Sequence, residues 1–401
     1  MMQDLFYQLI RVSIGAQDSL TRPPTAKEWQ QLYDMAKKQS LVGVCFAGVQ
    51  KLGFALYDND DENENHSNPS NTSNLSELQY LTWLGMTAKI QQRNEVVNRQ
   101  CVELQAKLSA DGISSSILKG QSVGALYNPS NLSNLSNNSN LSLLRQSGDI
   151  DVYVACGMSA ARAYAEKVCG RKCRYDYKNL HWPIYSDSST GSAQDTEVEM
   201  HYRVDVIMDV LKHGRMQKFW DSHTDEILGG RAVLASGQTI TCPTLLLNSF
   251  YILFHCYRHL FEGGVGLRQV MDYYFVLKAQ NELADASASK ATTMRLVKDF
   301  GMKRFTSAMM WIMQEVFGMS RDMLLCDPDE IEGRYILRDM MEGGNFGHHD
   351  ERIKDVGSSS RIRYLSHNLQ HGMHLMTHYP REVISSPIWT VWHWMWKRLH
   401  K

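Results

Sequence analysis

The chain has 401 residues, enough for two or three domains of ordinary size. Its 42 Lys and Arg residues nearly balance 43 Asp and Glu residues, which argues against an obligate nucleic-acid coat protein but leaves room for a local basic patch. No apolar run approaches the roughly 18–20 residues that span a bilayer, and the first residues lack the pattern of a secretory signal. With eight scattered cysteines, the composition predicts a cytoplasmic protein with reduced thiols.

Residues 1–80 are predicted to form a helical N-terminal region. Leu5 and Leu9 fit one helical face, and Thr25 suits the N-cap of a second helix. Two polar tracts with Ser-Asn-Leu repeats then occupy residues 59–76 and 128–142. Such tracts cannot bury enough apolar surface to become ordered, so both are predicted to be inserted, mobile surface loops.

Residues 81–240 are predicted to form a core of mixed helices and strands. A helix with a buried stripe ends near Asp111, and a short apolar run at 113–118 then leads through a tight turn into another helix. Ile150, Val152 and Val154 alternate with polar residues as in a half-buried strand. Further strands are expected at 181–185 and 196–204, and residues 241–401 are expected to form a helical domain.

The strongest chemical signal is a pair of aspartates on the predicted strand at 148–154. Asp149 and Asp151 are two residues apart and therefore point to one side, where their carboxylates can share or bracket hard cations. Two metal ions about 3.5–4 Å apart stabilise the attacking and leaving oxygens of a phosphoryl transfer. A later strand offers Glu197 and Glu199 on one face, and either can supply the third carboxylate; His201 shares that face and suits a role in orienting a carboxylate.

Positive charge for a phosphate ligand is expected beside these acids. Lys119 and Gly120 stand at a strand-to-helix turn, which combines a cation, a helix N-terminus and room for close backbone approach. Arg145 precedes the aspartates and has the geometry for bidentate phosphate binding, although a surface ion pair is the alternative.

Several short motifs, taken in order, resemble an uncharacterised bacterial nucleotidyltransferase family of the DNA polymerase beta-like nucleotidyltransferase superfamily. The motifs are Leu118-Lys119-Gly120, Leu126-Tyr127, Leu144-Arg145, Gly148-Asp149-Ile150-Asp151, Glu199-Met200-His201-Tyr202-Arg203 and a helical segment at 255–272. The resemblance covers roughly residues 80 to 350. It implies an α+β fold, with a twisted mixed sheet and helices at its centre, flanked by helical regions.

The resemblance also implies roles for single residues. Asp149, Asp151 and Glu199 match the metal-binding acids, while Gly120 matches the turn glycine and Ser122 the small hydroxyl residue that follows it. Lys119, Arg145 and Gly148 complete the expected nucleotide-contacting set. Two departures are visible, because Gln121 separates Gly120 from Ser122 and the third acid is Glu where the superfamily often has Asp.

The implied activity is transfer of an NMP from ATP or another NTP to an unknown acceptor, with Mg²⁺ or Mn²⁺ as the cofactor and pyrophosphate as the product. One alternative is a catalytically weak nucleotide-binding or regulatory module on the same fold. A second is an RNA-directed toxin acting on a tRNA end, which the near-neutral charge disfavours.

Three further segments carry weaker signals. His255 and His259 are spaced for zinc, but no Glu follows His255, so a packed helix contact is the preferred interpretation. The Gly/His-rich segment 343–350 has no assigned role. The tryptophan-rich, basic segment 389–398 fits a terminal helix docked on the core, which is preferred, and also fits contact with a membrane surface or a protein partner.

Overall fold

The computed structural model describes residues 2–53, 74–128, 140–184, 196–345 and 369–399. Most of the polar tracts 59–76 and 128–142, and most of the Gly/His-rich segment, lie outside the described residues. The ends of both tracts are described and belong to folded structure. Ser76 caps the next helix, and Leu141 is buried in a short helix, so the predicted loops extend too far at their C-terminal ends.

Helices occupy most of the described chain. The helices before the second strand are α1 Met2–Ile14, α2 Ala26–Lys38, α3 Val42–Lys51, α4 Glu77–Ala110, α5 Gln121–Gly124 and α6 Leu141–Leu144, with a 3-10 turn at Ala125–Tyr127. The later helices are α7 Gly157–Cys169, α8 Val210–Ser222, α9 Thr224–Gly229, α10 Leu245–Phe261, α11 Leu267–Asn281, α12 Ala286–Asp299, α13 Lys303–Phe317, α14 Glu330–Gly343 and the C-terminal helix Pro380–Leu399, with a 3-10 turn at Arg321–Met323.

Among the described residues, seven strands form two sheets. They are β1 Ser115–Ile117, β2 Ile150–Val154, β3 Arg174–Tyr175, β4 Asn179–Trp182, β5 Val198–His201, β6 Gly230–Val233 and β7 Thr239–Cys242. The five-stranded sheet has the order β1-β2-β5-β4-β3, in which β2 and β5 are parallel and the other neighbours are antiparallel. The hairpin β6-β7 has no counterpart among the predicted strands. The protein is therefore mixed α+β, as predicted.

The local patterns explain several of these elements. Thr25 caps α2 in a capping box with Glu28, as its position predicts. The stripe of α4 is buried against the sheet, and Gly112 ends that helix at φ +76°. Strand β4 begins two residues before the predicted run at 181–185 and ends at Trp182, because Pro183 has no N–H for the ladder.

Two apolar cores flank the centre of the molecule. The smaller core covers the five-stranded sheet with residues of α4 and α7, including Leu104 and Ala161. The larger core joins α1–α3 to α10–α14, so residues of the predicted N-terminal region and C-terminal domain pack together. The predicted boundaries at 80 and 240 stay predictions. Within the described ranges, none of the helices has the combined length and hydropathy required to traverse a bilayer.

Candidate active site

Asp151 and Glu199 meet because β2 and β5 are parallel neighbours in register. Asp151 stands directly beside Glu199 across the two strands, so both side chains point to the same side of the sheet. His201 follows on β5 and contacts both acids, with its Nε2 3.0 Å from Asp151 Oδ1 and 3.4 Å from Glu199 Oε2. One ligand atom from each of these three residues lies within 4.8 Å of the others. This group has the spacing of a metal site.

Asp149 lies just before β2, at the mouth of a cavity of about 100 Å³ that Asp151 also lines. Enclosure by the cavity, followed by the charges of Asp151 and Glu197, raises the pKa of Asp149 to about 6. The residue is exposed at the mouth, so solvent screens part of this repulsion. A cation bound between the carboxylates would relieve the repulsion between their negative charges.

Lys119 supplies the nearest positive charge to Asp151. Its Nζ lies 3.2 Å from Asp151 Oδ1 and also lines the cavity. Burial alone would raise the pKa of Asp151, but Lys119 and His201 hold it below its usual value. The turn after Lys119 requires Gly120, which adopts φ +65° and ψ −105° and also lines the cavity.

Glu199 is held by two neighbours on the sheet. Asn179 on β4 donates from Nδ2 to Glu199 Oε2 at 2.6 Å, and His201 contacts the same oxygen. Burial raises the pKa of Glu199, but the hydrogen bond from His201 and the charges of His201 and Lys178 together outweigh it and lower the pKa to about 2. Glu197 is half exposed and pairs with His181 instead. The geometry therefore favours Glu199 over Glu197 as the third carboxylate.

Arg145 lines the cavity, but its guanidinium is already engaged. Its Nε and Nη2 donate to the two carboxylate oxygens of Asp272 at 2.6 and 2.7 Å, and Tyr127 donates to the same carboxylate at 2.7 Å. Burial opposes the charge of Arg145, yet Asp272 keeps the pKa of the guanidinium above its usual value. Bidentate phosphate binding through these nitrogens would break a buried pair. The ion pair expected as the alternative is present, but it is buried and does not lie on the surface.

The remaining predicted nucleotide contacts are divided between two cavities. Gly148 lines the cavity of Asp149, and a Cβ at Gly148 would come within 4.0 Å of Arg268 Nη1. Ser122 lines a separate pocket of about 490 Å³ and not the cavity of Asp149. Its buried Oγ has no hydrogen-bond partner among the described residues. Gln121, which interrupts the Gly-Ser spacing, is buried and donates to Asn98 of α4.

Helices α10 and α11 form the wall of the cavity opposite the sheet. Their contributions include His255 and Gln269, which the motifs do not identify as site residues. Burial and the charge of Lys119 lower the pKa of His255 to about 3, so this imidazole is neutral at pH 7. His255 also packs against the ring of His259 at 4.3 Å, as expected for a helix contact. The resemblance of the helical segment 255–272 is the sequence signal that pointed to this wall, although it did not identify His255 as a site residue.

A mixed sheet that carries carboxylates on adjacent strands, next to a lysine and a glycine turn, is an arrangement that suits phosphoryl transfer. A comparison with family profiles identifies the particular family, because residues 25–318 match the one described as uncharacterised nucleotidyltransferase. The chain belongs to this nucleotidyltransferase family, in agreement with the resemblance of its motifs. No curated protein and no solved structure shows a significant match.

Proposed function

We propose that this protein transfers an NMP from an NTP to an acceptor, releases pyrophosphate and depends on a divalent metal. The observation that carries the proposal is the register of β2 and β5, which brings Asp151 and Glu199 together beside Lys119. The order β1-β2-β5 and the preceding glycine turn support a polymerase-beta-like core. Membership in the family supports nucleotidyl transfer as the reaction class.

The donor set fits a hard cation such as Mg²⁺ or Mn²⁺. Asp149, Asp151 and Glu199 offer only carboxylate oxygens, which these ions prefer. Enclosure by the cavity, followed by the charges of Asp151 and Glu197, raises the pKa of Asp149, and a bound cation would favour its ionised form. His201 fits better as the partner that orients Asp151 and Glu199, because imidazole is a poor ligand for magnesium. Bound metal would neutralise the triphosphate and lower the pKa of the acceptor oxygen.

The residues of the chain supply the remaining steps. Lys119 binds triphosphate oxygens, and the turn at Gly120 allows the backbone to approach them. The acceptor oxygen attacks the α-phosphorus, and the bond from that phosphorus to the bridging oxygen breaks, so that pyrophosphate leaves. Glu199 takes the proton of an acceptor hydroxyl as general base. His201 and Asn179 hold Glu199 in position for this role.

One observation favours a second candidate, a nucleotide-binding module with weak catalysis. Asp151 already contacts two protein cations or donors, Lys119 and His201, before any metal is added. A site that stays neutralised in this way would bind NTP with little dependence on metal.

The test compares Glu199→Gln with Glu197→Gln, two isosteric changes on one face of the same strand. Saturating Mg²⁺ and NTP at about 100 times the dissociation constant stabilise the native state by about 2.7 kcal/mol, which a thermal-shift assay measures. We expect wild type and Glu197→Gln to show this shift and to label an acceptor in cell extract from radioactive NTP. Glu199→Gln and Asp151→Asn should lose both the thermal shift and the labelling of the acceptor. EDTA should abolish the shift and the labelling in wild type.

Each outcome has a clear meaning. A shift that persists in EDTA and in both active-site variants contradicts the metal-dependent enzyme. A metal-dependent shift without labelled product or released pyrophosphate supports the binding module instead. The melting temperature of each variant without ligand identifies any loss that is caused by unfolding.

A further inference from the structure

The C-terminal helix Pro380–Leu399 is apolar on two adjacent faces. On its inner face, Trp389, Trp392 and Trp396 pack edge-on against Tyr177, with ring centroids 5.7, 4.9 and 5.2 Å away. This contact agrees with the preferred prediction of a docked terminal helix. The adjacent outer face of the helix is exposed and does not take part in this contact.

The outer face carries a continuous aliphatic stripe. Its members are between 46% and 83% exposed and follow one another at intervals of three or four residues: Ile384, Ile388, Val391, Met395 and Leu399. This spacing places them on one side of the helix. Leu211, at the start of α8, is also highly exposed, and the ion pair of Arg381 with Asp209 at 2.8 Å brings this part of α8 beside the same helix. A contiguous patch of this kind marks an interaction surface.

The charges along the helix indicate which partner this surface suits. Between Val383 and Lys401 the sequence contains no Asp or Glu, while Arg398 and Lys401 are basic; Lys397 is also basic but pairs with Asp176. The guanidinium of Arg398 lies 3.7 Å from the ring centroid of Trp394, at the edge of the aliphatic stripe, and Trp394 is exposed. A second copy of the same face would offer no carboxylate to these cations. Anionic lipid headgroups provide that counter-charge.

The helix is held so that this face points away from the sheet. Lys397 donates to Asp176 Oδ2 at 2.8 Å, and His393 contacts the other oxygen of the same carboxylate. Docking of the outer face therefore requires no unfolding of the helix. The helix also lies beyond residues 25–318, the part of the chain that the family profile matches.

We propose that the outer face of the C-terminal helix binds an anionic membrane surface. The aliphatic stripe enters the boundary between headgroups and acyl chains, Trp394 lies at headgroup level, and Arg398 contacts lipid phosphates. The helix lies in the plane of the surface and keeps its inner tryptophans on Tyr177. This interaction is independent of the nucleotidyl-transfer proposal.

The experiment measures co-sedimentation of the full-length protein with vesicles. One set of vesicles contains phosphatidylcholine alone and the other contains an equal mixture with phosphatidylglycerol. We expect sedimentation with the anionic vesicles that weakens as salt rises. Val391→Glu with Met395→Glu should abolish it, and Arg398→Gln should weaken it about fivefold. Leu78→Glu with Leu81→Glu is the matched control, because it places the same two charges at exposed leucines on α4 and should bind like wild type.

Three results would overturn the proposal. The first is equal sedimentation with both kinds of vesicle or with neither kind. The second is unchanged binding by the Val391→Glu, Met395→Glu double variant. The third is a lipid-independent dimer in size-exclusion chromatography that the double variant dissociates, since a second copy would then be the occupant. Melting curves of all variants show whether each protein is folded, and all of these exposed sites are expected to tolerate the change.

Discussion

The contact of Arg145 with Asp272 allows a sharp test of what this arginine does. Asp272→Asn keeps the size of the side chain but removes the charge, and an amide nitrogen then faces a guanidinium nitrogen. Both residues are buried, so the guanidinium would keep its charge without a compensating partner. Removing one member of a buried ion pair costs about 3–5 kcal/mol.

The expected thermal shift follows from the size of the chain. An unfolding entropy of about 2.1 cal/mol/K per residue gives about 0.8 kcal/mol/K for the whole protein. A loss of 3–5 kcal/mol then lowers the melting temperature by about 4–6 °C. Asp327→Asn is the matched control, because Asp327 pairs with Arg321 on the surface and its loss should cost less than about 1 kcal/mol.

A double variant separates structure from ligand binding. Arg145→Met with Asp272→Leu removes both charges and should restore much of the stability. If Arg145 acts only through this pair, the double variant keeps the Mg²⁺-dependent NTP shift; if Arg145 also contacts phosphate, the protein is stable but the shift is lost. A melting temperature of Asp272→Asn that equals that of Asp327→Asn would refute the argument that the buried pair supports the fold.

Two further predictions concern a turn and an ion pair. Gly120→Ala introduces a Cβ at φ +65° and ψ −105°, outside the left-handed helical region, and should cost about 1–3 kcal/mol and reduce the NTP shift. Gly112→Ala, at φ +76° and away from the cavity, should cost about 1–2 kcal/mol and leave the NTP shift intact; equal NTP shifts would exclude a role for the turn. Burial raises the pKa of Asp176, but hydrogen bonds from His393 and Lys397 outweigh it and lower the pKa below its usual value. The stability from this carboxylate is therefore present above about pH 4 and is lost as the pH falls through the lowered folded-state pKa. We expect the near-ultraviolet circular dichroism of the tryptophan cluster to weaken over that range in wild type and to be weak already at pH 7 in Asp176→Asn; identical pH profiles would contradict this assignment.

Local periodicity accounts for the elements that the sequence predicts well. The buried stripe of α4 runs from Val97 to Leu108, and its period alone identifies a helix against a core. Ile150 and Val154 alternate with polar side chains along β2, and this pattern places Asp151 on the opposite face. Both signals need only neighbours in the chain.

Contacts between segments that are distant in the chain cannot be predicted from local periodicity. The pairing of Asp151 with Glu199 depends on the register of two strands that are neighbours in the sheet but are not consecutive along the chain. Arg145 has the same local chemistry whether it binds a phosphate or a carboxylate, and Asp272, 127 positions later, takes its two nitrogens. Asn179 belongs to a short strand whose sequence carries no metal-site pattern, so its contact with Glu199 appears only once β4 and β5 are paired.

The central place of β5 has a consequence for how the polypeptide folds. Among the described strands, β4 pairs only with β5 and β3, and β2 pairs only with β5 and β1. A nascent chain that ends before Val198 can therefore form two separate strand pairs, each with an edge that lacks its neighbour. Such edges are prone to intermolecular association. Truncations before β5 should thus aggregate, while a fragment supplying β5 in trans should insert between the two pairs and restore solubility.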